Sequence, residues 1–316
     1  MKHSNGDEGR QARAFSPAGV GNIGVGFDLL GHSIEGPGDH ATVRRIAAPT
    51  VRISAVEGSS NGAGSIPLEA HRNTAGRALI AMREAHGIEH GFELRLHKGI
   101  PLGSGMGGSA ASCVAALVAA NAVLDDPLTR EQLYPLAMIG ESVSSDSVQG
   151  DNVGPMLLGG VVLATEARAI RLSAPGLHCA VVHPHFTLET RQARAVLTDP
   201  YPLADFVRQS RYLALFLTGL ARGDRGLIAS GLQDALVEPR RAPLVPGFAA
   251  VKAAALECGA LGASLSGAGP TVFGWFNSEG EARIAARAMQ AAFAGVGLHS
   301  DAYVSPVEGP RAQLLQ

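Results

Sequence analysis

The segment PLGSGMGGSAAS at residues 101–112 constrains the fold of this chain more than any other stretch. It follows an alternating strand pattern, FELRLHKGI at 92–100, and leads into an apolar segment, ASCVAALVAANAVL at 111–124, which predicts a buried helix. Glycines let backbone N–H groups approach an anion, and a helix start adds unpaired N–H donors and the positive end of the helix dipole. A strand, a glycine-rich turn and a helix in this order predict a phosphate-binding loop.

This loop differs from the two familiar glycine-rich nucleotide motifs. The P-loop of NTPases requires GxxxxGK[ST], but residues 101–112 contain no lysine, and the whole chain has only Lys2, Lys98 and Lys252. The GxGxxG pattern at 103–108 belongs in dinucleotide folds to a regular βαβ unit with an acid about twenty residues later, and the order of elements here argues against that. A helix packed so closely that only small residues fit would also explain the glycines, so the loop alone does not decide.

The composition narrows the class of protein. The 316 residues are 46% hydrophobic and 17% charged with a net charge of −2, which allows a substantial core and lacks the basic balance of nucleic-acid or membrane-surface proteins. Cys113, Cys179 and Cys258 are far apart, so neither a disulfide framework nor a cysteine zinc site is indicated. The first thirteen residues hold no apolar signal core and no stretch reaches about 18 apolar residues, so we expect a cytoplasmic protein.

Hydrophobic periodicity predicts helices and strands in mixed order. Thr129 and Gln132 resemble a capping box for a helix towards Val143, in which Pro135 predicts a later start or a bend. Several strands precede a helix, which favours an α+β fold over a doubly wound sheet, with domains at 1–168 and 169–316. The remaining patterns predict strands at 41–56, 156–165 and 177–186, helices at 73–87, 208–224, 246–260 and 278–293, and a glycine turn feeding a strand at 264–276.

Three motifs resemble, in order, those of the superfamily of galactokinase, homoserine kinase, mevalonate kinase and phosphomevalonate kinase (GHMP kinases). Residues 101–112 resemble its phosphate loop, with Gly108 in place of the first of two serines. SPAGVGNIGVGFDLLG at 16–31 and SLSGAGPTVFGWF at 264–276 resemble its N-terminal and C-terminal motifs. The resemblance spans residues 13–276 and implies an N-terminal domain like ribosomal protein S5 domain 2, a ferredoxin-like C-terminal domain and ATP in the cleft between them.

Four further segments are similar to the homoserine kinases within this superfamily: NIGVGFDLLG at 22–31, DNVGPMLLGG at 151–160, TRQARAVL at 190–197 and EPRRAPLVPGF at 238–248. The resemblance implies ATP-dependent phosphorylation of the L-homoserine hydroxyl to O-phospho-L-homoserine, in threonine biosynthesis. Two alternatives stay open at this point. One is a related kinase for another alcohol, such as a mevalonate-like or shikimate-like substrate, and the other is a catalytically silent nucleotide or metabolite sensor.

The resemblance also assigns the residues of the acceptor site. Asn22 and Asp28 would hold the amino acid, with Asp28 paired to its α-ammonium group. Arg194 and Arg241 would meet the carboxylate and the transferring phosphate, because planar guanidinium groups suit both anions. Gln149 would contact substrate from a position where the family usually has histidine. The homodimers common in the superfamily are compatible with this chain, and no nucleic-acid or membrane partner is implied.

The same resemblance assigns the nucleotide, the metal and the proton. Ser109 and Glu141 would hold Mg²⁺, and Asn73 would lie by the adenine or ribose. Asn152 stands where mevalonate kinases carry a catalytic aspartate; we expect it to face the site and Asp151 to be structural, because a loose phosphoryl-transfer transition state needs little early deprotonation. The ATP phosphates would lie along Pro101, Leu102, Gly103, Ser104, Gly105, Met106, Gly107, Gly108, Ser109, Ala110, Ala111 and Ser112.

Overall fold

The computed structural model describes residues 9–58, 63–144 and 149–316. Most of the segment 1–13, for which the sequence predicted no apolar signal core, therefore lies outside the described residues. The strands are β1 (Gln11–Gly21), β2 (Leu30–Ile46), β3 (Val51–Gly58), β4 (Gly91–Lys98), β5 (Val161–Ala164), β6 (Ala169–Leu172), β7 (His178–Pro184), β8 (Gly262–Leu265), β9 (Val272–Phe276), β10 (Ser300–Pro306) and β11 (Gln313–Leu315). The helices are α1 (Thr74–Ala85), α2 (Gly108–Ala122), α3 (Arg130–Glu141), α4 (Val153–Leu158), α5 (Thr190–Ala195), α6 (Leu203–Arg222), α7 (Arg225–Gly231), α8 (Glu238–Arg241), α9 (Phe248–Glu257) and α10 (Glu279–Ala294).

Among the described residues the first sheet has seven strands, and its long strand β2 organises it. The order is β11-β1-β2-β4-β3, and β5 and β6 extend the sheet from the beginning of β2. Residues 40–46 of β2 pair with β4 and residues 30–32 pair with β5, so this strand has two successive neighbours along its length. β3 and β4 are parallel and are connected through α1, and the remaining pairs in this sheet are antiparallel. This mixture confirms the α+β prediction.

Helix α2 packs against the first sheet and against α1, α3 and α4. Every residue from Ala110 to Ala120 is buried, as the apolar sequence predicts for a helix that is covered on all sides. Because alanine fills much of this helix, its neighbours can approach closely. The end of β4 and the start of α2 are thereby held in place, and the loop between them is the predicted phosphate loop.

The second sheet has four antiparallel strands in the order β10-β7-β9-β8 and is covered on both faces. Along β7, Cys179 and Val181 point into the core that the sheet shares with the first unit. The alternate residues Ala180 and Val182 pack in a second core with α9 and α10. This period of two is what a strand buried on both faces requires. None of the helices in the described ranges has both the length and the apolar character of a transmembrane segment.

Two strands pair across the predicted domain boundary between residues 168 and 169. β6 forms a hairpin with β5 and thereby belongs to the first sheet. The last strand, β11, returns from the second unit to pair with β1. Sheet pairing therefore favours a domain boundary just after Leu172 and adds the C-terminal strand to the first domain.

The segment at 156–165 differs from the predicted pair of strands. Val153–Leu158 form α4, and only Val161–Ala164 form a strand. Gly159 and Gly160, with φ of 81° and 64°, separate the two, and these left-handed values favour glycine. Periodicity does not distinguish a short buried helix from a short buried strand, which is why the sequence pattern predicted the wrong element.

Helix α3 confirms the capping box and corrects its expected start. The Thr129 side chain accepts a hydrogen bond from Gln132 N, and the Gln132 side chain accepts one from Thr129 N. The helix begins at Arg130 and includes Pro135, so the proline does not delay it. Glu141 is its last residue, which brings that carboxylate to the start of α2.

Candidate active site

The loop between β4 and α2 adopts the backbone that its glycines allow. Gly103, Gly105 and Gly107 have φ of 62°, 78° and 72°, which are left-handed values that other residues rarely adopt. Gly107 caps α2, and the first bond of the helix runs from Ala111 N to Gly107 O at 2.9 Å. The preceding N–H groups of the first turn have no intrahelical acceptor and provide donors for an anion.

Four successive carbonyl groups of the loop are tied to other parts of the chain. The donors come from the first sheet, the loop before α5 and the second glycine turn, so both units of the fold hold the loop. These bonds anchor the loop along its length to the rest of the protein. The bonds run from Leu188 N to Gly103 O (3.2 Å), Thr271 N to Ser104 O (3.3 Å), Ser266 Oγ to Gly105 O (2.8 Å) and Gly19 N to Met106 O (3.2 Å).

Only part of the predicted nucleotide-binding set lines the cleft. Met106, Ala110 and Ala111 are buried in the core, and the Ser112 hydroxyl bonds to the buried groups Lys98 and Asp39, so these four residues support the loop from behind. The residues of the loop that do line the cleft are Pro101, Leu102, Gly103, Ser104, Gly105, Gly107, Gly108 and Ser109.

Asn73 is a helix cap and is not among the residues that line this cleft. Its Oδ1 accepts from Ala75 N at 3.0 Å and from Gly76 N at 3.2 Å, and its Nδ2 donates to Pro67 O at 3.0 Å. These bonds occupy the buried amide, as is usual for asparagine at an N-cap. The structure thus places Asn73 at the start of α1, and its contact with a nucleotide stays a prediction.

Ser109 and Glu141 meet at the start of α2. The Ser109 hydroxyl donates to Glu141 Oε1 at 2.7 Å. Burial raises the pKa of Glu141 to about 7, although the Ser109 bond and the charge of Lys98 lower it. A divalent ion bound beside this half-buried carboxylate would stabilise its charged form.

The acceptor end of the cleft holds an acid between two arginines. Arg194 Nη2 donates to both carboxylate oxygens of Asp28 at 3.3 Å, and Arg241 is buried nearby. Both guanidinium groups lie over the ring of Phe27, at 5.5 and 5.2 Å from its centroid. Burial raises the pKa of Asp28, and the two arginines oppose this shift. Arg194 Nε is buried without a hydrogen-bond partner among the described residues.

Asn22 organises this end of the cleft. Its Oδ1 accepts from Asp28 N at 2.9 Å, and its Nδ2 donates to Gly267 O at 2.9 Å. Gly267 O also accepts from Arg241 Nη1 at 3.0 Å. The N-terminal motif, the C-terminal glycine turn and Arg241 are therefore joined at one carbonyl group, and the positive φ values of Asn22 and Asp28, 69° and 60°, show how tightly the chain turns.

Asp151 and Asn152 both line the cleft, between its two ends. Asp151 accepts from Asn22 N at 3.1 Å and from Asn152 Nδ2 at 3.2 Å. Burial, together with the charge of Asp28, raises the pKa of Asp151 to about 7. Asn152 Oδ1 is buried without a partner among the described residues and lies where a side chain on Gly107 would be, so it faces the phosphate loop.

The sequence left some cleft residues unassigned. Ser144, Thr190 and Ala268 line the cleft beside the predicted Gln149, and Thr190 lies within a segment whose family likeness the sequence already showed. No local sequence pattern indicated that Lys98 would be buried. The buried His183 forms a hydrogen bond with Thr271. No cluster of three or more metal-ligating side chains occurs among residues 9–58, 63–144 and 149–316.

Two protein families match parts of this chain. Residues 73–160 match the family described as GHMP kinases N terminal domain, and residues 216–295 match GHMP kinases C terminal. The first match contains the phosphate loop, Glu141 and Asn152.

Whole-chain relatives are homoserine kinases. The homoserine kinase of Xanthomonas campestris pv. campestris is 57% identical over 97% of this chain and 94% of that protein. The homoserine kinase of Chloroherpeton thalassium is 39% identical over 97% of this chain and all of that protein.

Solved structures show the same fold. The crystal structure of homoserine kinase from Cytophaga hutchinsonii is 37% identical, has a TM-score of 0.92, and matches 100% of this chain and 99% of that chain. An L. major mevalonate kinase in complex with R-mevalonate is only 14% identical but reaches a TM-score of 0.66 over 96% of this chain and 99% of that one. The second likeness concerns the fold alone.

Proposed function

This chain belongs to the GHMP kinases, and to the homoserine kinases among them, and from that premise we propose that it transfers the γ-phosphoryl group of ATP to the hydroxyl of L-homoserine. The product would be O-phospho-L-homoserine, an intermediate for threonine biosynthesis. We place the reaction in the cytoplasm, because the free cysteines suit a reducing compartment. The proposal includes a homodimer, as is common in the superfamily.

One observation carries the proposal: a single cleft holds a phosphate loop at one end and a charged amino-acid site at the other. Ser109 and Glu141 lie at the loop, and Asp28, Arg194 and Arg241 lie at the opposite end. A substrate that carries an ammonium group, a carboxylate and a hydroxyl finds a counter-charge for each ionic group there. A neutral polyol or a hydroxy acid without nitrogen would leave Asp28 without the ammonium partner.

The nucleotide end would act by positioning and charge neutralisation. Glycine-lined N–H groups at the start of α2 bind the phosphates, and their carbonyl anchors keep them in place without reorganisation. The residues fit Mg²⁺, because it is usually bound by one or two protein oxygens plus phosphate oxygens, and Ser109 and Glu141 are such a pair. Bound there, Mg²⁺ would neutralise charge that develops on the transferring phosphate.

The acceptor end would orient the hydroxyl. Asp28 pairs with the ammonium group, and the ionic bond to Arg194 is exchanged for one between Arg194 and an anionic group of the substrates. Asn152, with its unpartnered Oδ1, orients groups beside the phosphate loop. Asp151 keeps the backbone of Asn22 in position and lines the same cleft, where its carboxylate would receive the proton that the homoserine hydroxyl loses late in the transfer.

An assay of ADP release tests the proposal. The purified protein with MgATP is given L-homoserine, mevalonate, galactose or shikimate at equal concentration, with a no-acceptor control. We expect rapid ADP release with homoserine and background rates with the others. Faster release with another alcohol would reassign the acceptor, and background rates throughout would contradict kinase activity.

A further inference from the structure

A buried ion pair lies directly behind the phosphate loop. Lys98 is 2% exposed and Asp39 is fully buried, and the Lys98 ammonium bonds to Asp39 Oδ2. The same ammonium donates to Ser112 Oγ at 2.8 Å and to Gly108 O at 2.6 Å, so all three of its donors are used. Ser112 Oγ in turn donates to Asp39 Oδ2 at 2.7 Å.

These three side chains connect the two ends of the loop. Asp39 Oδ1 accepts from Gly99 N at 3.0 Å and from Ile100 N at 3.1 Å, just before the loop begins. Lys98 and Ser112 hold the first turn of α2, where the loop ends. The separation between the end of β4 and the start of α2 is therefore fixed by one connected group of hydrogen bonds.

The ammonium group is also close to the anion site itself. Gly108 lines the cleft, and a Cβ atom on Gly108 would lie 3.5 Å from Lys98 Nζ. Only one residue of backbone therefore separates the buried positive charge from the space that phosphates would occupy. In such a poorly solvated place a charge acts more strongly than it would in water.

A buried ion pair is weak evidence for stability alone, because its desolvation offsets the attraction between the charges. The Lys98–Asp39 pair also contains one of only three lysines in the chain. Its contacts with both ends of the loop give it a use that an apolar pair of similar volume would not provide.

We propose that Asp39, Lys98 and Ser112 are positioning residues that hold the phosphate loop in its anion-binding conformation, with the Lys98 ammonium supplying from behind the positive charge that the loop itself lacks. The inference rests on the proposed nucleotide-binding function of the cleft. It does not depend on which alcohol accepts the phosphoryl group.

Direct binding of MgADP by calorimetry tests this role. Lys98→Met combined with Asp39→Asn removes both charges, while the amide oxygen introduced by the second substitution can still accept from Gly99 and Ile100. We expect MgADP to bind at least tenfold more weakly and the KM for ATP to rise similarly, with the KM for homoserine changed less than twofold. Ser112→Ala keeps the ion pair but removes the hydrogen bonds of Ser112 Oγ to Lys98 and Asp39, so it should weaken MgADP binding by about threefold, as expected when the net worth of such bonds is modest.

The chain provides a matched control in a second lysine, carboxylate and serine group. Lys252 Nζ and Ser264 Oγ both bond to Glu238, and none of these three residues lines the cleft. Lys252→Met combined with Glu238→Gln removes two charges in the same way and should leave MgADP affinity unchanged.

Equal losses of MgADP affinity in the two double variants would overturn the inference, because they would reflect general destabilisation. Unchanged MgADP affinity in the folded Asp39/Lys98 double variant would also overturn it. If that variant does not fold, Ser112→Ala decides: an unchanged affinity contradicts the inference and a selective loss supports it. Failure of the wild-type protein to phosphorylate homoserine would remove the proposed acceptor but not a result measured with MgADP.

Discussion

At the residue scale, the site is defined by carboxyl groups whose burial makes them dependent on a partner. Glu141 is half-buried against Ser109, and Asp151 is held between Asn22 and Asn152. Burial raises the pKa of each to about 7. Each group therefore gains from a nearby cation or hydrogen-bond donor, which is typical of residues that serve a ligand rather than the fold.

Glu141→Gln tests the metal role of this carboxylate. The change keeps the shape and the acceptor for Ser109 but removes the negative charge, so we expect kcat to fall about 100-fold or more at saturating Mg²⁺. Glu131→Gln is a suitable control, since Glu131 lies exposed in the first turn of the same helix. Equal kcat values for the Glu141 variant and wild type would remove Glu141 from the metal site.

The raised pKa of Glu141 predicts a pH-dependent stability difference. A carboxyl whose pKa rises from 4.5 to about 7 on folding contributes stability that is present below pH 4.5 and lost as the pH rises through 7. Glutamine does not titrate. Without Mg²⁺, the free energy of unfolding of Glu141→Gln relative to that of wild type should therefore rise by about 2 to 3 kcal/mol from pH 5 to pH 8, since one pKa unit corresponds to about 1.4 kcal/mol. Urea unfolding at both pH values measures this difference, and a constant difference would contradict the raised pKa.

At the element scale, local signals predicted most helices, while long-range contacts set the details of the site. The capping box of Thr129 and Gln132 and the apolar run of α2 are local, and both were confirmed. The Lys98–Asp39 pair joins residues 59 positions apart, so no local pattern contains it. Asn73 has a local explanation, because Ala75 and Gly76 make it the cap of α1, and the nucleotide contact that family likeness implied for it stays a prediction.

The glycines of the phosphate loop are not equivalent. A Cβ on Gly107 would lie 2.6 Å from Asn152 Oδ1, and Gly107 has a left-handed φ, whereas a Cβ on Gly108 has ordinary contacts only. Gly107→Val should therefore weaken ATP binding by about 2 kcal/mol where the fold survives, and Gly108→Ala should leave it unchanged.

Gly87→Val is the control for the loop variants. Gly87 also has a left-handed φ, of 60°, but a Cβ there would meet no atom within 4 Å. This variant should lose stability without losing ATP affinity. The melting temperature and the ATP dissociation constant of each variant separate the two effects, and intact ATP affinity in a destabilised Gly107→Val protein would mean that the loop serves packing.

At the scale of the whole molecule, two sheets form one cleft because they share a core. Trp275 in β9 donates from Nε1 to Nε2 of His32 in β2 at 3.2 Å, and both side chains are fully buried. Burial lowers the pKa of His32 to about 4, so this histidine is neutral at pH 7 and can accept the bond. The sequence indicated two units. It did not indicate which faces of the two sheets pack against each other or that β11 returns to pair with β1, because both depend on contacts between distant segments.

His32→Leu tests the connection between the sheets. The substitution leaves the buried Trp275 N–H without an acceptor, so we expect a loss of about 1 to 3 kcal/mol in the free energy of unfolding. Trp275 is the single tryptophan of the chain, so its fluorescence follows the transition directly. The exposed His299→Leu is the control, and equal stability of the two variants would show that the bond contributes nothing.

The ratio of kcat/KM for L-homoserine to that for two truncated acceptors tests the central claim, that this cleft phosphorylates an alcohol which it recognises as an amino acid. 4-Hydroxybutanoate lacks the ammonium group that Asp28 would bind, and 3-aminopropan-1-ol lacks the carboxylate that Arg194 and Arg241 would bind. Each truncation leaves a half-buried or buried charge without its partner, so we expect kcat/KM to fall at least 100-fold for each. Comparable values for all three alcohols would contradict the account.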